Sequence, residues 1–315
     1  MAVASDLKAF AVVAIVMEVF FAIIYGFHQG YTSTVEFADF NGLIVVIYLL
    51  MLLLVGFGLV STYLKEFALT GMTLNFIMVA FTIQWYFLMK KFWYAINLGD
   101  TRNNTQLSDN PHNIRLSPEL HVLDGVDIED MQFFTLSQAV ASAIAMFVMV
   151  WPMLGRIGPG KALILCFVGN FFYTLNEVAF WRLNIADNGY GMKIFLFGSV
   201  AGLLASKLLG SDHTRDHPKY YSQYSYQSFA LIGSLFVWAL LPWLSVIDQS
   251  QLLSGGTVTT GTITTIIPDY RQVAPINVMF ALCASAVGSF AMSILLHGKI
   301  SVHEIIFSCF SVLFC

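Results

Sequence analysis

Long apolar runs separated by polar segments dominate the pattern along this chain. A bilayer core of about 30 Å is crossed by about 20 helical residues. Runs of about that length cover residues 7–27, 41–63, 67–89, 132–154, 161–183, 191–210, 227–247 and 275–297. Because lipid offers the backbone no hydrogen-bond partners, each run is expected to form a helix. The pattern predicts an all-α, polytopic membrane protein of about eight transmembrane helices.

Both ends of the chain carry apolar runs that need a separate decision. The first run contains Glu18, is longer than the apolar part of a signal peptide, and is not followed by a small-residue cleavage site. We therefore expect it to be retained as the first span. The last run, 302–315, is too short to cross a membrane by itself.

Composition agrees with a membrane protein and removes several function classes. Apolar residues make up 57% of the chain and charged residues only 11%, against about 25% charged in a soluble domain. The net charge is −4, and the largest basic cluster is the pair Lys90–Lys91, so lipid and not nucleic acid is the expected partner. The cysteines form no CxxC or zinc spacing, so we expect no metal, no cofactor and no disulfide framework.

The connections between the runs predict one transmembrane domain, 1–315, with a polar surface loop at 98–130. Lysine and arginine are nearly balanced between the two sides, so charge does not fix the orientation. Asn103, in Asn103-Asn104-Thr105, is a glycosylation acceptor pattern that would suit an outside loop and a cytoplasmic N-terminus. We expect an integral protein of the plasma membrane.

Local motifs then carry a family resemblance. They include Val55-Gly56-Phe57-Gly58, Ala80-Phe81-Thr82-Ile83-Gln84-Trp85, Asn176-Glu177 and the segment from Tyr226 to Trp238. In order and spacing, over about 40–303, these segments resemble the Rhesus-type members of the ammonium transporter/Rhesus family. The resemblance implies a helical bundle built from inverted repeats. In this chain the second repeat would be incomplete, so a C-terminally shortened family member is expected.

The resemblance also implies a function. Family members conduct ammonia through a narrow apolar pore that has an outer phenylalanine gate and two histidines inside. They assemble as trimers, so a homotrimer, or a heterotrimer with another Rhesus-type protein, is implied for this chain. Ammonia or ammonium would be the ligand if the chain conducts.

At the positions that matter for conduction, this sequence departs from the family pattern. Asp187 matches the family aspartate, but the histidine eight residues later is Phe195. The outer gate position, after Pro242, is Leu244, and its companion falls near Gln138 or Ala141. The second pore histidine would lie beyond the last residue of this sequence. The residues that the resemblance places at the pore are Asp187, Phe195, Glu177, Trp243 and Leu244.

Other residues have chemistry that the sequence leaves open. Small residues let membrane helices approach closely, which makes packing contacts the expectation for Gly56, Gly58, Gly198 and Gly202. Glu18 and Glu177 lie within apolar runs, where a carboxylate is costly. Each is either a functional group or a helix–helix hydrogen bond, with Arg182 a poorly phased partner for Glu177. His213 and His217 are one helical turn apart, in a segment we expect to be a solvated loop.

Three functional hypotheses follow. The first is a Rhesus-like ammonium transporter-family membrane protein with reduced or absent conduction, because Phe195 replaces the histidine and the last spans are missing. The second is a non-conducting structural subunit that assembles with a complete Rhesus protein. The third is an unrelated multi-span receptor or enzyme. No nucleophile triad, phosphate loop or dinucleotide motif is present in the sequence, so the chain is not expected to be an enzyme.

Overall fold

The structure is a computed structural model that describes part of the chain. The described residues are 2–28, 30–31, 40–63, 68–101, 130–131, 133–183, 185, 187, 190–209, 224–246, 257–260, 263–266, 270–298 and 306. The predicted site residue Asn103 and the pair His213 and His217 lie outside these residues, as does most of the predicted loop 98–130.

Within that part, the α-helices of twelve or more residues are α1 (Ala2–His28), α2 (Phe40–Met51), α3 (Ala68–Thr101), α4 (Phe133–Val150), α5 (Pro159–Leu183), α6 (Phe197–Leu209), α7 (Tyr224–Leu240) and α8 (Tyr270–His297). A short α-helix, Gly58–Val60, lies beyond α2. Several continue directly into tighter or wider turns. A π-helical segment, Leu52–Phe57, extends α2, and another, Gly191–Leu196, leads into α6. A 3₁₀ turn, Leu241–Val246, follows α7.

Seven of the described helical segments, one in each of α2 to α8, are long and apolar enough to cross a membrane. Within α1, the stretch Ala11–Tyr25 is also apolar. The prediction of an all-α membrane protein of about eight transmembrane helices is confirmed. One boundary was wrong, because α3 extends to Thr101 and so includes the first residues of the loop predicted from 98. No proline interrupts the chain there, so the helix continues past the apolar run.

Short strands occur in the connections. β1 (Gly30–Tyr31) pairs in parallel with β2 (Asp130–Met131), and β3 (Thr257–Thr260) pairs antiparallel with β4 (Ile263–Ile266). The second pair is rich in threonine and isoleucine, whose branched side chains favour strands. The sequence analysis did not predict these strands, since runs of two to four residues carry little periodic signal.

Helix α4 is the centre of the bundle. It contacts α2, α3, α5 and α6, and 72% of its apolar span is buried inside the protein. The opposite extreme is α8, where only 11% of the span is buried, and which contacts chiefly the 3₁₀ turn after α7. The protein interior therefore lies around α4, and α8 is largely uncovered in the described part of the chain.

Glycines lie where helices approach most closely. A Cβ atom added at Gly202 would lie 2.7 Å from the carbonyl oxygen of Met149, and one at Gly198 would lie 2.9 Å from that of Ala145. A Cβ atom at Gly233 would lie 2.6 Å from the backbone nitrogen of Val60. At these distances the neighbouring backbone would have to move. Helix α6 can therefore lie against α4, and α7 against the end of α2, only without a side chain at these positions.

Gly56 and Gly58 lie at related contacts. An added Cβ atom at Gly56 would lie 3.0 Å from Cγ2 of Val237 on α7. One at Gly58 would lie 3.3 Å from the side-chain nitrogen of Asn75 on α3. That nitrogen donates a hydrogen bond to the carbonyl oxygen of Leu53 at 3.0 Å, inside the π-helical segment. The wider turn breaks the regular hydrogen-bond ladder, and Asn75 satisfies one of its carbonyls from another helix.

The close contact at Gly202 predicts a stability effect. Gly202→Ala should lower the free energy of unfolding by about 1–3 kcal/mol, because the new methyl group meets the backbone of α4. Gly288→Ala is the matched control, since an added Cβ atom there has nothing within 4 Å. Thermal unfolding of both variants in mild detergent measures the difference. Equal midpoints for the two variants would contradict the close packing of α6 on α4.

Candidate functional site

Asp187 fixes the start of the π-helical segment that carries Phe195. Its carboxylate oxygens accept hydrogen bonds from the backbone N–H groups of Met192 at 3.2 Å and Lys193 at 2.7 Å. Tyr190, between them, has a left-handed backbone with φ of 59°. The Asp187 side chain is buried, and it satisfies N–H groups that a helix start leaves free. Asp187 therefore orients the Phe195 segment in this structure.

Phe195 and Leu244 are both in the protein interior, each only 2% exposed. They belong to one continuous apolar core to which α2, α3, α4, α5, α6 and α7 contribute. Ile194, beside Phe195, is fully buried. Trp243 stacks on Tyr48 of α2, with ring centroids 4.4 Å apart and planes 17° apart. In this arrangement Phe195 and Leu244 fill space between helices, and neither side chain faces open solvent.

Glu177 has a tyrosine partner from another helix. The hydroxyl of Tyr86 on α3 donates a hydrogen bond to a carboxylate oxygen of Glu177 on α5 at 2.7 Å. Tyr86 is fully buried and Glu177 is 8% exposed. Arg182, the partner that the sequence offered, is exposed. The carboxylate is therefore satisfied across the α3–α5 contact and not along its own helix.

Two more tyrosines surround this hydrogen bond. The Tyr173 ring lies 6.5 Å from that of Tyr86, and Tyr190 is close enough to interact with Tyr86 electrostatically. We call Tyr86, Tyr173, Tyr190 and Glu177 the tyrosine cluster. All of its members are buried. The cluster joins Glu177 to the residue that precedes the Phe195 segment, which links two of the predicted pore positions.

Lysines lie at the edge of the tyrosine cluster. The Lys90 ammonium lies 5.5 Å from the centre of the Tyr86 ring and bonds to the side-chain oxygen of Gln138 on α4. The Lys193 ammonium lies 5.1 Å from the centre of the Tyr190 ring. Such positions over aromatic faces stabilise a cation. The cluster thus has a carboxylate inside and ammonium groups at its edge.

Glu177 was predicted from the sequence as a site residue, but the tyrosines around it were not. A signal was available, because Tyr86 and Lys90 are four residues apart on α3, as Tyr173 and Glu177 are on α5. Residues at that spacing lie on one helix face. The spacing could not predict that this face of α3 contacts this face of α5.

The carboxylates of the site all take part in hydrogen bonds. Over the residues for which side chains are described, no group of three or more His, Cys, Asp or Glu could hold a metal ion. Asp187 already accepts backbone hydrogen bonds, and Glu177 accepts one from Tyr86. Away from the site, Glu18 on α1 accepts hydrogen bonds from the side chain of Gln84 on α3. Glu18 and Glu177, which lie within apolar runs, therefore each accept a hydrogen bond from a neighbouring helix.

The known proteins that this chain resembles in sequence are Rh-type ammonium transporters. No protein-family model matches the chain. It is 25% identical over 250 residues to the ammonium transporter Rh type B of Rattus norvegicus, covering 79% of this chain and 45% of that protein. It is 27% identical over 247 residues to the ammonium transporter Rh type C of Rattus norvegicus, covering 78% of this chain and 41% of that protein. The chain thus spans less than half the length of these relatives.

A solved structure shares the fold. The Rh50 protein of Nitrosomonas europaea, of the Rhesus protein family of channels, aligns with a TM-score of 0.64 and 18% identity. The alignment covers 87% of this chain and 62% of that one. These relatives are transporters and a channel, not enzymes, which leaves the hypothesis of an unrelated receptor or enzyme without support. By sequence and fold together, the chain is similar to the Rhesus-type members of the ammonium transporter/Rhesus family.

Proposed function

We propose that this chain is a Rhesus-like membrane protein whose conduction of ammonia is reduced or absent. The observation that carries the proposal is the burial of Phe195. In the sequence, Phe195 stands where the family motif has a histidine, and its side chain is 2% exposed inside a continuous apolar core. A benzyl side chain can fill a lumen but can neither accept nor donate a proton, whereas imidazole does both near neutral pH.

A second position supports the same proposal. Leu244, at the family's outer gate position, is also 2% exposed and lies on the same core. A leucine has no aromatic face, so it cannot hold an ammonium ion by a cation–π interaction before that ion loses its proton. Entry and proton transfer would thus both lack the groups that the family uses. Ammonium is the substrate class if any conduction remains.

The alternative of a structural subunit also has an observation in its favour. Helix α8 has an apolar span of which 11% is buried, and Phe280 and Leu295 are 71% and 77% exposed. A helix so uncovered in the described part of the chain has a long apolar surface that either lipid or further helices can cover. We propose an oligomer, either a homotrimer or a heterotrimer with a complete Rhesus-type protein, as the assembly in which the chain acts. The plasma membrane is the proposed location.

For Glu177 we propose a structural role over a transport role. Its carboxylate already accepts the Tyr86 hydrogen bond between α3 and α5. A buried carboxylate without a donor is costly, so the pair stabilises the contact between these helices. Proton transfer by Glu177 remains the alternative that the experiments below distinguish.

The first experiment concerns Phe195. In liposomes that contain the wild-type chain or Phe195→His, uptake of labelled methylammonium should stay close to the rate of empty liposomes. A single imidazole introduced here would be enclosed by apolar core residues. Full-length Rh type B protein in the same lipid is the positive control. Uptake by the wild-type chain at the rate of this control would contradict the proposal.

The second experiment concerns the tyrosine cluster. Tyr86→Phe removes the hydroxyl that satisfies Glu177 and should lower the free energy of unfolding by about 1–3 kcal/mol. Glu177→Gln should cost less, because the amide oxygen can still accept the Tyr86 hydrogen bond. Tyr224→Phe is the matched control, since Tyr224 is 84% exposed. Thermal unfolding in detergent is the measurement. Wild-type uptake above that of empty liposomes that falls in Glu177→Gln, with stability unchanged, would instead assign Glu177 to transport.

A further inference from the structure

An ionisable side chain lies on the outer surface of the bundle at the middle of a span. Glu18 is midway along the apolar stretch Ala11–Tyr25 of α1 and is exposed. At 1.5 Å per residue it is about 10 Å from either end of that stretch. Ile15 and Val19, beside it, are 65% and 54% exposed, so the surrounding surface is apolar. Within the described part of the chain, Glu18 therefore faces outward, toward lipid or toward a further helix.

The partner that Glu18 has within the chain satisfies it only in part. The side-chain nitrogen of Gln84 on α3 lies 3.0 Å and 3.3 Å from the two carboxylate oxygens. Two carboxylate oxygens together offer about four acceptor positions. A single amide nitrogen shared between them leaves most of those positions open. Placing an ionisable side chain in hydrocarbon has a high free-energy cost, so such residues usually face the interior of a helix bundle.

The surface on either side of Glu18 is shaped for a closely packed helix. Ala11 and Ala22 lie seven residues before and four after Glu18, on the same helix face, and both are exposed. On α3, Ala80 lies one turn before Gln84 and is exposed as well. Small residues let a neighbouring backbone approach, and polar side chains then hydrogen-bond across the contact. Here both features occur together on adjacent helices.

We propose that the outer face around Glu18 and Gln84 binds a transmembrane helix of another protein, one that carries a hydrogen-bond donor, such as lysine, at the middle of the membrane. Charge complementarity selects this occupant. A second copy of this chain packed symmetrically through the same face would bring a second carboxylate to the same depth. This partner site is separate from the Phe195 region and does not depend on whether the chain conducts.

The test uses the full chain in liposomes and a defined probe. The probe is a synthetic poly-leucine transmembrane helix with one central lysine, and its control is the same helix with leucine at the centre. Energy transfer between a label on the chain and a label on the helix reports association. The lysine helix should bind the wild-type chain on the order of tenfold more tightly than the leucine helix.

Variants assign the effect to Glu18. Glu18→Leu should abolish the preference for the lysine helix, whereas the neighbouring Val19→Leu should retain it. An unchanged thermal midpoint for Glu18→Leu would confirm that the bundle is intact. Equal binding of both helices to the wild-type chain, binding of neither, or an unaltered preference in Glu18→Leu would overturn the proposal. Self-association of the chain that disappears in Glu18→Leu would also overturn it, in favour of a second copy as the occupant.

Discussion

Inside a bilayer, a polar group must find its hydrogen-bond partner within the protein, because lipid offers none. The contact between α3 and α5 is built on this constraint. The Trp85 and Trp93 ring nitrogens on α3 donate to the carbonyls of Phe167 and Phe171 on α5, at 3.2 Å and 3.3 Å. Asn170 returns a bond from α5 to the Thr82 carbonyl of α3 at 3.1 Å. The Tyr86–Glu177 bond extends the same contact. These bonds fix the two helices side by side, and α4 packs against both of them and against the Phe195 segment.

The constraint also accounts for where the chain departs from regular helix. The π-helical segment in α2 has a carbonyl, that of Leu53, which takes a bond from Asn75. In the segment before α6, the backbone N–H groups of Met192 and Lys193 donate hydrogen bonds to the Asp187 carboxylate. In both cases one side chain outside the segment, Asn75 from α3 or Asp187 just before α6, supports a local departure from the α-helical ladder. The exposed carboxylate of Glu18 is the case in which the described chain supplies only part of the partners, which is why it points to another molecule.

How far the sequence predicts this structure depends on the range of the signal. Spans follow from length and apolarity alone, so the eight helices were predictable. Packing contacts at Gly198 and Gly202 were expected from the sequence, but the residues that face them were not. Those residues, Ala145 and Met149, are about fifty positions away in the chain. The tyrosine cluster was missed for the same reason, since α3 and α5 are distant in sequence. The predicted end of α3 differs from the observed end at Thr101 because the apolar residues stop before the helix does.

We propose that, in this Rhesus-like bundle, Phe195 fills the place of a proton-handling group. Thiol labelling of Phe195→Cys, in a chain whose native cysteines are replaced by serine, tests this most directly. A membrane-impermeant thiol reagent should label position 195 as slowly as Ile194→Cys, because both side chains are enclosed by the core. Rapid labelling of Phe195→Cys that ammonium ions slow would contradict the account, since it would require an open, ammonium-accessible path past that residue.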